Sequence, residues 1–162
     1  MKPIEEKIVN ALTAHGLKIA TAESCTGGLI SEMITRVSGS SSVIECGVCS
    51  YSNDIKMKLL NVQKSTIDEF TEVSEQCAKE MAEGVRLLAG ADIGVSTTGY
   101  AGPTGGTKEN PVGTVYIGIS VKGSVFAYKT NFLENGCKDR IEVRKKCAES
   151  CLERVLSIIS EM

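Results

Sequence analysis

Tryptophan is absent, aromatic side chains make up 4% of the chain, and there is one histidine in 162 residues. Each scarcity removes a class of function. So few aromatics leave no base-stacking platform of the kind that single-strand nucleic-acid binders use. No basic stripe offsets a formal net charge of −2, so a nucleic-acid partner is not expected. The single histidine, His15, stands beside Gly16 at an expected helix end. That position suits C-capping, and it takes away the usual base of a serine nucleophile. No apolar run approaches the length that spans a bilayer. The opening Met1-Lys2-Pro3-Ile4-Glu5-Glu6 lacks the apolar core of a signal peptide. A cytoplasmic protein without a membrane partner is expected.

Two motif classes are missing as well. The Gly-x-Ser-x-Gly elbow of α/β-hydrolases does not occur, nor does a P-loop or a Gly-x-Gly-x-x-Gly dinucleotide turn. The seven cysteines are odd in number and read as reduced thiols. Cys46 and Cys49 lie in an apolar strand, where residues three apart face opposite ways, and no helix start follows the first of them. Cys147 and Cys151 share one face of a helix and read as core. No metal and no cofactor are expected.

What is present suits one domain with a substantial core: 42% hydrophobic and 23% charged residues. Helical spacing of Ile4, Ile8, Val9 and Leu12 predicts a first helix ending at Gly16. Residues 17–22 predict a strand, and 26–37 a helix capped by Ser24 or Thr26. Val43 to Tyr51 reads as a buried strand. Asn53-Asp54 caps a short helix, Ser65-Thr66 opens another, and Ser74 caps a long one over 75–89. Its apolar face holds Cys77, Ala78, Met81, Ala82, Val85 and Leu88. Residues 91–98 form a third strand. Residues 112–121 and 124–132 form a hairpin about Lys122-Gly123. A last helix runs from about 138 to 159, with Ile141 counted on its apolar face. Early β–α alternation followed by a hairpin predicts an α/β fold, a three-layer α/β/α sandwich with a mixed, mostly parallel sheet.

In such sheets ligands sit beyond the carboxyl ends of the strands. Three ends carry hydroxyls: Glu23-Ser24, Tyr51-Ser52-Asn53 and Thr97-Thr98-Gly99. Ser24 begins the turn Ser24-Cys25-Thr26-Gly27-Gly28, whose backbone N–H groups are suited to an oxyanion. Cys25 is the one thiol in an electropositive setting and is the alternative nucleophile. Without a histidine, the base for Ser24 falls to Tyr51 or Lys56, although the position of Lys56 alone suits a solvated lysine. Phosphate-binding turns are offered by Gly27-Gly28, by Ser38 to Ser42 (with Ser41 and Ser42 at its end), and by Gly102 to Gly106, including Gly105. Arg140 and Arg144 lie four apart on one helix face and are placed to clamp an anion.

Read together, Ala22-Glu23-Ser24-Cys25-Thr26-Gly27-Gly28, Tyr51-Ser52-Asn53, Thr98-Gly99-Tyr100-Ala101-Gly102-Pro103-x-Gly105-Gly106 and Pro111-Val112-Gly113-Thr114-Val115-Tyr116 resemble the C-terminal domain of the competence/damage-inducible protein CinA family. The resemblance runs from about residue 5 to residue 158. Stand-alone members of that family are nicotinamide-nucleotide amidohydrolases. The resemblance therefore implies hydrolysis of the carboxamide of nicotinamide mononucleotide to nicotinate mononucleotide and ammonia. It implies a serine, a tyrosine and a threonine in the reaction, at Ser24, Tyr51 and Thr98. In that scheme Ser24 attacks, Tyr51 with the help of Lys56 takes and returns the proton, and Thr98 orients the amide or the attacking water. N–H groups from Cys25 to Gly28 hold the oxyanion, no metal is needed, and a homo-oligomer is expected. Tyr100 departs from the family's usual Ile, and the run Phe132 to Arg140 is longer than the family's Phe-x-Gly-Asp-Arg. The alternative function is a non-catalytic module that senses a nucleotide or binds a partner.

Overall fold

The computed structural model describes residues 1–162. Its elements are α1 (Ile4–His15), β1 (Ile19–Glu23), α2 (Leu29–Thr35), β2 (Ile44–Cys49), α3 (Asn53–Leu60), α4 (Lys64–Phe70), α5 (Glu75–Ala89), β3 (Ile93–Gly99), β4 (Thr114–Val121), β5 (Ser124–Asn131) and α6 (Arg140–Ser160). One five-stranded sheet has the order β2-β1-β3-β4-β5. β1 pairs parallel with β2 and β3, while β4 pairs antiparallel with β3 and β5. Only β4 runs against the others, as the hairpin requires. α1, α2 and α6 cover one face, and α3, α4 and α5 the other, so the expected sandwich is the observed one.

The two faces are packed differently, and the residues say why. Ile19, Ile93, Val95, Val115, Ile117 and Ile119 point toward α1, α2 and α6 in the larger core. The opposite face is floored by small residues, among them Ala20, Ala22, Gly94, Ser96 and Gly118. A Cβ at Gly94 would overlap the Ala82 carbonyl, and one at Gly118 the Ala78 carbonyl. α5 therefore lies with its backbone close against β3 and β4, and the Ser96 hydroxyl donates to Ala78 O at 2.6 Å. Gly84, in the middle of α5, is required for the same reason: a Cβ there would meet the Leu60 carbonyl at the end of α3.

Several local expectations change. β2 is an edge strand, not a buried one. Its residues alternate between half-buried and exposed, because β1 covers one side only. α2 starts at Leu29, later than expected, and neither Ser24 nor Thr26 caps it. The N-cap is Gly28, in the left-handed region at φ 99, and the Glu23 carboxylate does the capping. α3 is capped by Ser52, whose hydroxyl accepts from Ile55 N at 3.2 Å, rather than by Asn53-Asp54. Ser74 caps α5 as expected. Leu88 and Ile141, counted on apolar helix faces, are exposed.

Because β1, β2 and β3 run the same way, their carboxyl ends lie side by side. Ser24, Ser50-Tyr51 and Thr98 occupy those ends. Ser24 N donates to Thr97 O at 3.0 Å, and Ser50 N to Glu23 O at 2.9 Å, extending the ladder by one residue on each side.

Candidate active site

Strand alternation sorts the residues after β1 onto two faces. The pairing of Glu23 with Thr97 makes Ser24 and Thr98 the next neighbours, and both side chains turn toward the α3–α5 layer. Glu23, Cys25, Thr26 and Thr97 turn toward α2 and α6.

On the α3–α5 side lies Lys56, only 1% exposed. Its ammonium nitrogen is 3.1 Å from Ser24 Oγ, 2.7 Å from Ser50 O and 3.5 Å from Tyr51 O. The solvated lysine suggested by its position is thus a buried one, because α3 turns its first helical turn inward over the strand ends. Burial pushes its pKa down, opposed by the nearby Cys77, Glu72 and Cys25. Removing solvent from an ammonium favours the neutral amine. Thr98 Oγ1 donates to Glu72 O at 2.6 Å. Its proton is committed to that carbonyl, so the oxygen's lone pairs remain available to accept a hydrogen bond. Ser50 Oγ, also fully buried, has no hydrogen-bond partner.

Tyr51 is placed differently from its expected role. Its ring is 64% exposed, and its phenol oxygen accepts from Arg140 Nη2 at 3.1 Å. It meets Lys56 through its backbone carbonyl, and the side chain on Ser24 is that of Lys56. Arg140 also donates to Gly102 O at 2.8 Å, so Tyr51, Gly102 and Arg140 form one cluster at the mouth of the site. Beside it lies a cleft of about 430 Å³ lined by Pro103, Leu133, Lys138, Asp139, Arg140 and Ile141.

On the other face, Glu23 is fully buried. Its carboxylate accepts from Thr26 Oγ1 at 2.6 Å and from the N–H groups of Gly28, Ile30 and Ser31 at 2.9–3.1 Å. Thr26 Oγ1 also lies 2.7 Å from Thr97 Oγ1. Glu23 thus consumes the donors at the start of α2 that the sequence offers to an anion. Gly27 N is spent on Ser24 O. Of the expected oxyanion donors, those of Gly27 and Gly28 are taken, and only the N–H groups of Cys25 and Thr26 find no acceptor elsewhere in the chain. Gly27 and Gly28 serve the turn, with φ of 59 and 99.

Cys25 is 5% exposed and packs in the larger core. Hydrogen bonding from the Cys147 thiol draws its pKa down against the effect of burial. It faces α6, away from Lys56 and Thr98, so the structure does not bring the alternative nucleophile to the site.

The expected phosphate residues separate. Ser41 and Ser42 lie in a short 3₁₀ turn before β2, at the end of the sheet opposite Ser24, and the Ser42 hydroxyl donates to Gly39 O at 2.8 Å. A strand's length removes them from the site. A Cβ at Gly105 would touch the Tyr100 ring, and one at Gly106 would touch Val112. These two glycines are thus needed for the loop's own packing. Arg144 does not pair with Arg140 about an open space. Its Nε donates to Cys25 O at 3.1 Å and its Nη2 to Thr26 O at 2.9 Å.

Sequence reading missed Glu23 as an anchor. The signal was there: an acid ending an otherwise apolar strand must find donors if it is buried. No group of three or more His, Cys, Asp or Glu side chains is placed to hold a metal ion.

The sequence model of the CinA C-terminal domain matches residues 1–159. A CinA-like protein of Kosmotoga olearia is 49% identical over 152 residues, covering 94% of the chain and 36% of that protein. A crystal structure of a CinA superfamily protein from Klebsiella pneumoniae superposes with a TM-score of 0.92 at 30% identity, covering 98% of this chain and 97% of that one. A competence/damage inducible protein from Agrobacterium tumefaciens gives 0.89 at 37% identity, covering 97% and 96%. The chain spans about a third of the length of the curated relatives it matches.

Proposed function

The chain belongs to the CinA C-terminal domain family, and from that membership and the buried Ser24–Lys56 pair we propose that it is an amidohydrolase of nicotinamide mononucleotide. The observation that carries the reading is Lys56 Nζ at 3.1 Å from Ser24 Oγ in a side chain withdrawn from solvent. A neutral amine has two N–H donors and one lone pair. The carbonyls of Ser50 and Tyr51 take the two donors, which leaves the lone pair for the Ser24 hydroxyl proton. Lys56, rather than the Tyr51 phenol, is then the general base.

The steps follow. Ser24 Oγ attacks the carboxamide carbon as its proton passes to Lys56. The oxyanion lies against the N–H groups of Cys25 and Thr26. Thr98 Oγ1 accepts an N–H of the substrate amide and so orients it. The lysine ammonium returns its proton to the leaving nitrogen, ammonia departs, and an acyl-serine remains. Water, deprotonated by the regenerated Lys56, hydrolyses that ester to nicotinate mononucleotide and free Ser24. Arg140 uses two of its five donors on Tyr51 and Gly102. In this reading those remaining bind the phosphate.

The test is ammonia release from nicotinamide mononucleotide and from free nicotinamide. Turnover of the nucleotide that disappears in Ser24→Ala and in Lys56→Met, both folded, is the expected result. Binding that raises Tm without turnover would return the function to a nucleotide-sensing module.

A further inference from the structure

Arg144 was expected to clamp an anion, yet its guanidinium is turned onto the backbone beside Ser24. We propose that Arg144 is a positioning residue that aims and polarises the oxyanion-binding peptide of Ser24, and that it is not a phosphate ligand. The inference rests on the amidohydrolase reading and deepens it.

Two observations converge on it. The first is a pair of donations, Arg144 Nε to Cys25 O at 3.1 Å and Nη2 to Thr26 O at 2.9 Å. In a trans peptide the carbonyl and the next N–H point in opposite directions. Fixing Cys25 O on the α6 side therefore aims the Thr26 N–H away from α6. The second is that this N–H belongs to a fully buried residue and donates to nothing in the chain. Buried N–H groups without an acceptor are rare. An unpaired buried donor two residues after a nucleophile is explained by an oxygen that arrives during the reaction. A cation on the carbonyl draws electron density from the same amide, and chained hydrogen bonds strengthen one another.

The surroundings fit. A Cβ at Gly27 would lie 3.0 Å from Arg144 Nη2, so the glycine keeps the space that the guanidinium occupies. On the opposite side Glu23 holds Thr26 Oγ1 and Gly28 N. The turn is thus gripped by a buried carboxylate on one side and a guanidinium on the other, with the Thr26 N–H left over.

The experiment measures Arg144→Met and Arg144→Lys against the unaltered protein on three substrates. Two are nicotinamide mononucleotide and nicotinamide riboside, the same amide without the phosphate. The third is p-nitrophenyl acetate, whose carbonyl Ser24 attacks with expulsion of p-nitrophenolate. The expected result for Arg144→Met is a kcat lower by about 100-fold on both amides, the size of one lost oxyanion donor, with little change in KM. The p-nitrophenolate burst should slow in parallel, and Arg144→Lys, able to hold one carbonyl, should fall between. A rise in KM confined to the phosphorylated substrate, with kcat kept, would identify an anion clamp and overturn the proposal; unchanged kinetics would overturn it too. If Arg144→Met does not fold, Arg144→Lys at an unchanged Tm decides by the same criteria. If the unaltered protein releases no ammonia from either amide, the amidohydrolase reading fails. The burst, absent in Ser24→Ala, then tests Arg144 by itself, and no burst in the unaltered protein ends both.

Discussion

Lys56 is the side chain whose behaviour depends most on where the fold puts it. In its lowered-pKa state it is neutral at a pH where an exposed lysine is charged. The base form is the unprotonated one, so activity should rise with pH and level off below the 10.5 of a free lysine. A pH profile of kcat/KM for nicotinamide mononucleotide checks this, and Lys56→Met should lower kcat by about 10³-fold, within the range of general-base catalysis. The three hydroxyl residues at the strand ends were legible, because strand order and hydroxyl chemistry are written locally. The Ser24–Lys56 distance was not. A lysine on the first turn of a helix looks solvated until the helix is known to lie over a sheet end. Alternation separates Ser24 from Cys25: one residue further along the chain, the thiol faces the core beside Cys147.

At the level of elements, Glu23 replaces a side-chain cap for α2 and ties that helix to β1. Glu23→Ala leaves three N–H groups and the Thr26 hydroxyl without their acceptor in a buried place. It should destabilise the fold by about 3 kcal/mol or more, measured by urea unfolding. The close seat of α5 gives a second prediction. Gly118→Ala forces a methyl against the Ala78 carbonyl and should cost about 2 kcal/mol, as overpacking does. A stability within error of the parent would show that α5 shifts freely. Helix ends marked by Gly16 and Ser74 were readable because their caps are local. The edge position of β2 was not, since its β-branched run resembles a central strand until pairing is known. Leu88 and Ile141 fit the helical period but lie where no other element covers them.

For the whole molecule, the sandwich and its mixed sheet followed from the order of periodicities, and sequence order also placed the three strand ends together. The Ser41-Ser42 turn shows the limit of that reasoning: a glycine- and serine-rich loop carries no label for the end of the sheet it occupies. The seven thiols are all free, and exposure sorts them. Cys49 is exposed and Cys46 and Cys137 are half-buried, whereas Cys25, Cys77, Cys147 and Cys151 are buried. Burial pushes the Cys77 thiol up to about 12. A thiol-reactive disulfide reagent should therefore label Cys49 first, then Cys46 and Cys137, and reach the other four only after denaturation; early labelling of Cys147 would contradict the packing. The first turns of α6 reach all three parallel strand ends, through Arg140 on Tyr51 and Gly102 and Arg144 on Cys25 and Thr26. A ribosome makes that helix after every strand. Under the proposed mechanism, turnover would therefore wait for residues 140–144 to be synthesised and docked, since Arg144 grips two carbonyls of the turn after Ser24.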